Sequence, residues 1–132
     1  MDYIEEARKA LKNDVFAQEV TGIVIDEAEP GYAKCSFVIE EKHMNSGHMV
    51  MGGAIFTLAD FAFGAVANLD HNPTVTLSSS ISFLSPPKGT RVIAEARCVK
   101  SGRSTCVVDV RVYDDIGTSV AISTMTGFRK SK

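Results

Sequence analysis

The longest apolar stretch of the chain runs from Gly53 to Leu69, with the sequence GAIFTLADFAFGAVANL. Its length and its Ala and Leu content predict a helix rather than a strand, despite the glycines. Asp60 is its only charged residue, so this helix must be buried on nearly every side. A membrane span is the poorer interpretation, because the stretch is short for a bilayer and a central Asp costs roughly 3 kcal/mol there.

Around this helix, apolar and polar positions alternate in the manner of strands. Residues 2–13 predict a short amphipathic N-terminal helix, acidic first and basic later, and residues 41–52 predict a loop. The pattern indicates an α+β fold, with an antiparallel sheet wrapped around one long central helix. The predicted strands, separated by turn residues, cover residues 19–28, 32–40, 74–84, 90–99, 104–113 and 118–128.

The composition excludes some classes of protein but does not identify a function. The 132 residues suit a single domain, 1–132, with its own core. The N-terminus lacks a basic start followed by an apolar stretch, and the three cysteines form no CxxC pair. We therefore expect a cytoplasmic protein without a disulfide framework or a zinc site.

The net charge of −2 is unevenly distributed along the chain. Residues 1–87 contain five Lys/Arg and twelve Asp/Glu, a net charge of −7. Residues 88–132 contain nine Lys/Arg and four Asp/Glu, a net charge of +5. A basic end on an acidic protein argues against nucleic-acid binding and is compatible with a local site for a small anionic ligand. Charge alone favours the simpler interpretation, a solvated strand face rich in Lys and Arg.

Asp60 is the first candidate for chemistry, since an unpaired ionised carboxylate is costly to bury in an apolar helix. A buried acid is often structural, but no Lys or Arg lies within four residues of Asp60, so a functional role is the better explanation. Gly53, Thr57, Asp60 and Gly64 follow helical spacing, which makes one narrow face small and polar. That face leaves room for a close partner, either a substrate or another backbone.

Two glycine-containing segments are compatible with anion binding. Gly52-Gly53 at the start of the helix offers free N–H groups to an anion or an oxyanion, although such a pair usually means only a tight turn. The segment Lys100-Ser101-Gly102-Arg103-Ser104 groups two cations with backbone N–H groups, as phosphate sites do. It is equally well explained as a plain hairpin turn.

The remaining polar candidates carry less information. Alternation places four hydroxyl side chains on one strand face, which is most simply a solvated face: Thr76, Ser78, Ser80 and Ser82. A serine nucleophile has no support, because the chain has no GxSxG motif. His43, His48 and His71 show neither triad context nor metal-ligand spacing. We therefore expect no metal and no redox cofactor.

The stretch from Met44 to Asp60 resembles the signature of the phenylacetyl-CoA-type (PaaI-like) hot-dog thioesterases. The matching parts are an Asn- and Gly-containing loop at Met44–Gly47, the pair Gly52-Gly53, and Leu-Ala-Asp ending at Asp60. The later segments 83–86 and 100–104 are similar to the family's final strands and its CoA-contacting turn. The resemblance covers residues 12–130, and the order and spacing of the parts make it specific.

The resemblance implies a hot-dog fold and hydrolysis of an acyl- or aryl-CoA thioester. It also implies a homodimer with shared active sites, or a dimer of such dimers. The charge distribution and the poor fit of the apolar stretch to a bilayer predict neither a nucleic-acid nor a membrane partner. The resemblance assigns Asp60 as general base or nucleophile and the Gly52 N–H as the group that polarises the thioester carbonyl. Asn45 matches the family's side-chain amide near that carbonyl or near the attacking water. Thr76 matches a hydroxyl residue that helps to hold the water. CoA-binding positions correspond to Gly53, Lys100, Gly102, Arg103 and Ser104.

One departure and two alternatives accompany this resemblance. Many relatives have His immediately before the Gly-Gly pair, where this chain has Met51, so turnover or substrate preference is expected to differ. A non-catalytic acyl-CoA-binding module is the chief alternative, and the presence of Asp60, Asn45 and Gly52 favours the enzyme. A hot-dog hydratase or dehydratase would need a His-containing motif that the sequence lacks.

Helix geometry separately predicts that the site is shared between chains. Gly52 and Asp60 are eight residues apart, which places them about 12 Å apart along a helix axis. A carboxylate and an N–H donor must both work within roughly 3–3.5 Å of one carbonyl group. Two such helices, antiparallel about a two-fold axis, would bring each Asp60 towards the other's Gly52.

Overall fold

A computed structural model of the chain describes residues 2–69 and 73–130. A π-helical turn at Phe16–Val20 and a 3₁₀ turn at Glu41–His43 lie between the regular elements. The predicted α+β class is confirmed. The helices are α1 (Tyr3–Ala10) and α2 (Gly52–Ala67), and the strands are β1 (Val24–Glu29), β2 (Tyr32–Val38), β3 (Thr74–Phe83), β4 (Arg91–Ser101), β5 (Thr105–Asp114) and β6 (Ser119–Arg129).

The six strands form one antiparallel sheet in the order β1-β2-β4-β5-β6-β3. Helix α2 packs on the central strands β2, β4 and β5, which leaves β1 and β3 as the edges. Alternate strand residues face the helix, as the period-two pattern requires. Fully buried side chains on this face include Ala33, Cys35, Val92, Ala94, Ala96, Val108, Val110 and Val112.

Helix α2 is buried on most of its circumference, as its composition predicts. The sheet covers one side, and α1 and the turn at residues 16–20 cover part of the other. What remains is a strip on which Gly53 is exposed and Phe56, Thr57 and Asp60 are half-buried. The uncovered strip therefore contains the only charge of the helix.

The N-terminal helix predicted for residues 2–13 spans only Tyr3–Ala10. Two further predicted boundaries are wrong for physical reasons. The strand expected from residue 19 begins at Val24, because residues 16–20 form a π-helical turn in which the Thr21 N–H donates to the Phe16 carbonyl. The helix expected to reach Leu69 ends at Ala67. Asn68 ends it, since its side-chain amide donates to the Gly64 carbonyl while its Oδ1 accepts from the N–H of Thr74 at the start of β3.

Asp114 fixes the segment that links β3 to β4. Its side chain is 1% exposed, and its carboxylate accepts hydrogen bonds from the N–H groups of Lys88, Gly89, Ile116 and Thr118 at 2.7–3.1 Å. Burial by itself raises a carboxyl pKa, but these donors outweigh it and hold the pKa of Asp114 well below the usual range. The link is thereby fastened to the β5–β6 turn.

Candidate active site

The start of α2 presents two backbone donors. Met51 caps the helix with extended backbone, and its carbonyl accepts from the N–H groups of Ala54 and Ile55 at 3.0 and 3.3 Å. Within the described part of the chain, the N–H groups of Gly52 and Gly53 have no hydrogen-bond partner. They are the orphan donors that every helix start has, at the positive end of the dipole.

Phe83, the last residue of β3, packs directly against Gly52. A β-carbon on Gly52 would lie 3.3 Å from Phe83 Cζ and 3.4 Å from Cε1, which is tighter than ordinary van der Waals contact. Glycine at this position therefore allows the aromatic ring to cover the first turn of the helix. This contact could not be predicted from the sequence, because 31 positions separate the two residues.

A tight loop places Asn45 beside the helix start. The His43 carbonyl accepts from the Met51 N–H at 2.8 Å, which closes the base of the loop. Asn45 Oδ1 accepts from the N–H groups of Gly47 and Met49 at 2.8 and 3.2 Å, so its NH₂ group is the part that can donate to a ligand. Asn45 and Gly52 line one cavity of about 220 Å³, as the prediction that they act together requires.

His43 has a structural role at this loop. Its Nδ1 accepts from the Glu40 N–H at 2.9 Å, which leaves the proton on Nε2 to be donated to the Thr21 carbonyl at 2.7 Å. The ring also contacts Phe37, with a centroid separation of 4.3 Å. His43 thus ties the 3₁₀ turn to the end of the π-helical turn. His48 has a left-handed backbone conformation (φ 60°) in the loop, and His71 lies outside the described residues.

Asp60 lies on the half-buried strip of α2 and has one hydrogen-bond partner among the described side chains. Thr76 Oγ1 donates to Asp60 Oδ1 at 3.4 Å, and none of the ion pairs found in residues 2–69 and 73–130 involves Asp60. Burial raises the pKa of this carboxyl group, the Thr76 hydrogen bond lowers it, and the negative charge of Asp14 raises it, with a net shift upwards. A raised pKa without a cation is typical of a carboxylate prepared to accept a proton.

A β-bulge explains why Thr76 reaches Asp60. The pairing of β3 with β6 shifts between Thr76 and Ser78, and a bulge changes which way neighbouring side chains point. Thr76 meets α2, whereas Ser80 and Ser82 line a polar cavity with Arg111 instead. The sequence-based prediction that the four hydroxyls share one face is therefore wrong, since the bulge separates Thr76 from the serines.

The segment before β1 forms the other wall around Asp60, which the sequence did not reveal. Residues 13–17 and α2 enclose a cavity of about 480 Å³ that is bordered by Asp60. Phe16 is 63% exposed and projects from the π-helical turn into this space. An exposed aromatic in an irregular turn has no periodic signal, so only the folded structure places it here.

The two halves of the candidate site are separate within one chain. Asn45 and Gly52 line the cavity of about 220 Å³, and Asp60 lines the cavity of about 480 Å³. None of the cavities found among the described residues includes both Gly52 and Asp60. Their eight-residue spacing within an uninterrupted helix corresponds to about 12 Å along the axis.

The small-residue stripe of α2 is only partly open. The Thr57 hydroxyl donates back to the Gly53 carbonyl at 2.8 Å. Gly64 is not free to approach a second chain as expected, because Leu11 of the same chain lies against it, 3.6 Å from where a β-carbon would be. The open part of the stripe runs from Gly53 to Asp60.

The basic segment forms the β4–β5 hairpin turn, and a third cation supports it. The Gly102 N–H donates to the Thr105 carbonyl at 2.8 Å. Arg129, from β6, donates to the Gly102 carbonyl and to the Ser101 hydroxyl, while its own N–H donates to the Ser104 carbonyl. Arg129 was missed from the sequence because it lies 25 positions beyond the turn.

The basic turn retains cations that can bind phosphate. In the described part of the chain, Lys100 and Arg103 take part in none of the ion pairs found. Register places the turn at the same end of the sheet as Thr76, since Thr105 pairs with Phe128 and Thr76 with Gly127. Strands β3 and β5 are two strand spacings apart, or about 10 Å.

Two further properties concern only residues 2–69 and 73–130. Within these ranges, no cluster of three or more His, Cys, Asp or Glu side chains is arranged to hold a metal ion. None of the helices described there is both long and apolar enough to span a bilayer.

Residues 47–121 match the family model of the thioesterase superfamily. The chain belongs to this superfamily. The match includes α2 and most of the sheet, and with it the predicted enzyme class, a thioesterase, is confirmed at the level of the family. The acyl-coenzyme A thioesterase PaaI of Escherichia coli is 28% identical over 119 residues, which cover 89% of this chain and 84% of that protein.

Solved structures of relatives confirm the hot-dog fold. The PaaI protein of Escherichia coli superimposes with a TM-score of 0.91 at 25% identity, covering 98% of this chain and 94% of that one. A Streptococcus mutans protein bound to acetyl-CoA superimposes with a TM-score of 0.78 at 34% identity, covering 83% and 90%. The resemblance noted from the sequence is thus confirmed by both sequence and structure.

Proposed function

We propose that the protein hydrolyses acyl-CoA thioesters to the free acid and CoA, with Asp60 as the catalytic carboxylate. The observation that carries this proposal is a half-buried Asp60 with a raised pKa, which among the described residues has no cation as an ion-pair partner. It lies on the same helix whose start offers two N–H groups without a partner in that part of the chain. A base and an oxyanion donor are the two groups that acyl transfer requires. The thioesterase family supplies the class of reaction.

The chemistry follows from what each group can do. Asp60 accepts a proton from water, and the hydroxide attacks the thioester carbonyl carbon, or the carboxylate attacks that carbon itself and water then hydrolyses the resulting anhydride. The Gly52 N–H, with the Asn45 amide beside it, stabilises the negative oxygen that forms. The C–S bond then breaks, and the CoA thiolate leaves and takes up a proton. Thr76 holds Asp60 and the water in place.

The CoA part of the substrate is assigned to the basic turn. Lys100 and Arg103 supply charge for phosphate groups, and Gly102 and Ser104 supply a backbone shape that Arg129 keeps in place. The Streptococcus mutans relative was solved with acetyl-CoA bound, which supports this ligand class. Gly53 is assigned to the pantetheine end, at the helix start.

We also propose that two chains form each site. Because Gly52 and Asp60 lie in different cavities of one chain, a partner must bring the missing half. Edge strand β3 is suited to the contact, since it lies at the edge of the described sheet and its apolar side chains Val75, Leu77 and Phe83 are 44%, 59% and 54% exposed. Antiparallel pairing of β3 with its copy about a two-fold axis gives two equivalent sites per dimer, and two such dimers could form a tetramer.

The test combines two inactive variants. Asp60→Asn removes the base, and Gly52→Pro removes the N–H donor. Proline suits the first helical position, and the extended backbone of Met51 (φ −61°, ψ 137°) is what a residue before proline adopts. Its β-carbon would lie 3.3 Å from Phe83 Cζ, so the Phe83 ring has to shift slightly and the folding of this variant is checked first. In a statistical mixture of co-refolded chains, about a quarter of wild-type activity should return, because half of the dimers are mixed and each contains one intact site.

Isolated heterodimers decide the question. If each variant alone is folded and inactive, and a purified heterodimer with a different tag on each chain remains inactive, the shared-site proposal is wrong. A folded Asp60→Asn variant with near-normal turnover would overturn the assignment of the catalytic carboxylate itself.

A further inference from the structure

The cavity beside Asp60 has an aromatic wall that divides it from a second cavity. The first cavity, about 480 Å³, lies between residues 13–17 and α2, with Phe56 and Phe61 among its lining residues. A second cavity of about 350 Å³ continues along the same face of α2 towards Met51. Phe16 and Thr57 line both cavities, so the Phe16 ring stands where they would otherwise join.

We propose that the cavity between residues 13–17 and α2 receives the acyl group of the substrate, that Phe16 limits the length of the acyl chain, and that the pocket selects short, uncharged acyl groups. This inference rests on the proposed function and specifies its substrate class. Asp60 borders the cavity, so an acyl group lodged there has its thioester carbon near the catalytic carboxylate.

Five of the nine residues that line the cavity are apolar, and they provide the surface for an acyl chain. Val15, Phe16, Phe56 and Phe61 contribute aliphatic and aromatic surface, and a bound acyl chain would cover the exposed ring of Phe16. Each methylene buried against such surface contributes about 0.8 kcal/mol, or about fourfold in affinity. The second-order rate constant kcat/KM is therefore expected to increase with chain length until the chain reaches Phe16.

The charge of the cavity excludes acidic acyl groups. Asp14 and Asp60 both line it, and among the described residues no Lys or Arg does. A carboxylate at the far end of an acyl chain would enter a cavity that contains Asp14 and, among the described residues, no cation to pair with, and burying such a charge is unfavourable. CoA esters of dicarboxylic acids should therefore be poor substrates compared with monocarboxylic esters of equal length.

The cavity of about 220 Å³ beside Gly52 is assigned to the sulfur and pantetheine side of the substrate. The assignment rests on its smaller size and on its position at the helix start, since its lining is also largely apolar, with Ile55, Phe83 and Leu84 among its residues. An acyl group at Phe83, in this cavity, is the competing arrangement. The two arrangements differ in which aromatic side chain controls chain-length preference.

The chain-length experiment measures kcat/KM for butanoyl-, hexanoyl-, decanoyl- and dodecanoyl-CoA. Phe16→Ala should join the two cavities and raise the dodecanoyl-to-hexanoyl ratio at least about tenfold, and Phe16→Leu should give an intermediate value. Ile116→Ala is the matched control, because Ile116 is a 66% exposed apolar residue that lines neither cavity. Its profile should equal that of the wild type.

The charge experiment compares adipoyl-CoA with hexanoyl-CoA. Asp14→Asn should raise the adipoyl-to-hexanoyl ratio about tenfold, the factor expected from a like charge on the order of 10 Å away at an effective dielectric constant near 20. Glu19→Gln removes one negative charge from the same turn without touching the cavity and should leave the ratio unchanged.

The acyl-pocket assignment is overturned if folded Phe16→Ala keeps the wild-type profile, or if Phe83→Leu shifts it instead. Measuring Kd for non-hydrolysable thioether analogues of the same chain lengths keeps this result separate from the proposed function. Wild-type protein that binds these analogues with the expected selectivity but hydrolyses no acyl-CoA would refute hydrolysis and retain the pocket. Hydrolysis without that selectivity would refute the pocket and retain hydrolysis.

Discussion

Thr76 donates a hydrogen bond to Asp60 over 3.4 Å, from the edge strand to the central helix. At that length the bond is weak. We therefore expect Thr76 to adjust the position and the pKa of the Asp60 carboxylate without being essential for catalysis. We expect Thr76→Val to lower kcat by about tenfold or less, and Thr76→Ser to retain most of the activity. Because the bond lowers the pKa of Asp60, Thr76→Val should also move the acidic limb of the kcat/KM–pH profile to higher pH.

Asp60→Asn should lower kcat by roughly 10²-fold or more, since the catalytic base is lost. The same change should stabilise the fold at neutral pH. Burial raises the folded-state pKa of Asp60, so its ionised form is less stable in the folded protein than in the unfolded one. This penalty is absent below the unfolded-state pKa and is complete above the folded-state pKa. Melting temperatures at pH 7 should therefore be higher for the variant.

The control for this stability prediction is pH itself. Below the unfolded-state pKa of an aspartate, near 3.9, Asp60 is protonated in both states and the difference between the two proteins should shrink. A variant that is less stable than the wild type at pH 7 would show that Asp60 has a structural role that its contacts do not reveal.

Leu77→Asp should dissociate the dimer that we propose. Leu77 is 59% exposed on the edge strand β3, and a charge there would be buried unpaired in the proposed interface. Val99→Asp is the matched control, because Val99 is an apolar strand residue that is 61% exposed on β4, away from β3. Light scattering should show a monomer for the first variant and the wild-type mass for the second. Loss of activity should accompany loss of the dimer.

The double variant Lys100→Ala/Arg103→Ala should raise KM for CoA substrates with less effect on kcat, because phosphate contacts are made equally in the ground state and the transition state. Thioesters of pantetheine, which lack the nucleotide, should be hydrolysed at nearly unchanged rates. Equal losses for both substrate types would show that the turn has no role in phosphate binding. Raising the salt concentration should weaken binding of the CoA substrates alone.

Asp114→Asn should destabilise the fold by about 2–4 kcal/mol, because several charge-assisted hydrogen bonds weaken at once in a buried position. The folded-state pKa of Asp114 is lowered, so its contribution is complete above the unfolded-state pKa and is lost as the pH falls through the folded-state value. Asp109→Asn is a suitable control, since Asp109 is half-buried and accepts one solvent-exposed hydrogen bond, from Thr124. Urea denaturation at pH 7 measures both.

The fold followed closely from the sequence because its main signals are periodic. The apolar run of α2 and the alternation in β2, β4, β5 and β6 predicted both the elements and their buried faces. The prediction was wrong at residues 16–20, because a π-helical turn has no characteristic spacing of apolar residues. The bulge between Thr76 and Ser78 was not predicted, because a one-residue insertion in a strand depends on how that strand pairs with its neighbour.

The candidate site was predictable where its residues are close in sequence. Asn45 and Gly52 share a cavity, and Asp60 lies on the exposed strip of the helix that they precede. Asp14, Phe16 and Arg129 were missed because each reaches the site from a distant element. Such contacts are products of the tertiary fold, and neither composition nor spacing encodes them locally.

The burial of α2 also has a consequence for the order in which the chain is made. The helix is complete once Ala67 has been synthesised, but two of the three central strands that cover it, β4 and β5, lie between Arg91 and Asp114. A nascent chain of about 70 residues therefore carries a finished apolar helix without its covering sheet, which is a surface that chaperones bind and that promotes aggregation. Folding of this protein is accordingly expected to wait until nearly the whole sheet has left the ribosome.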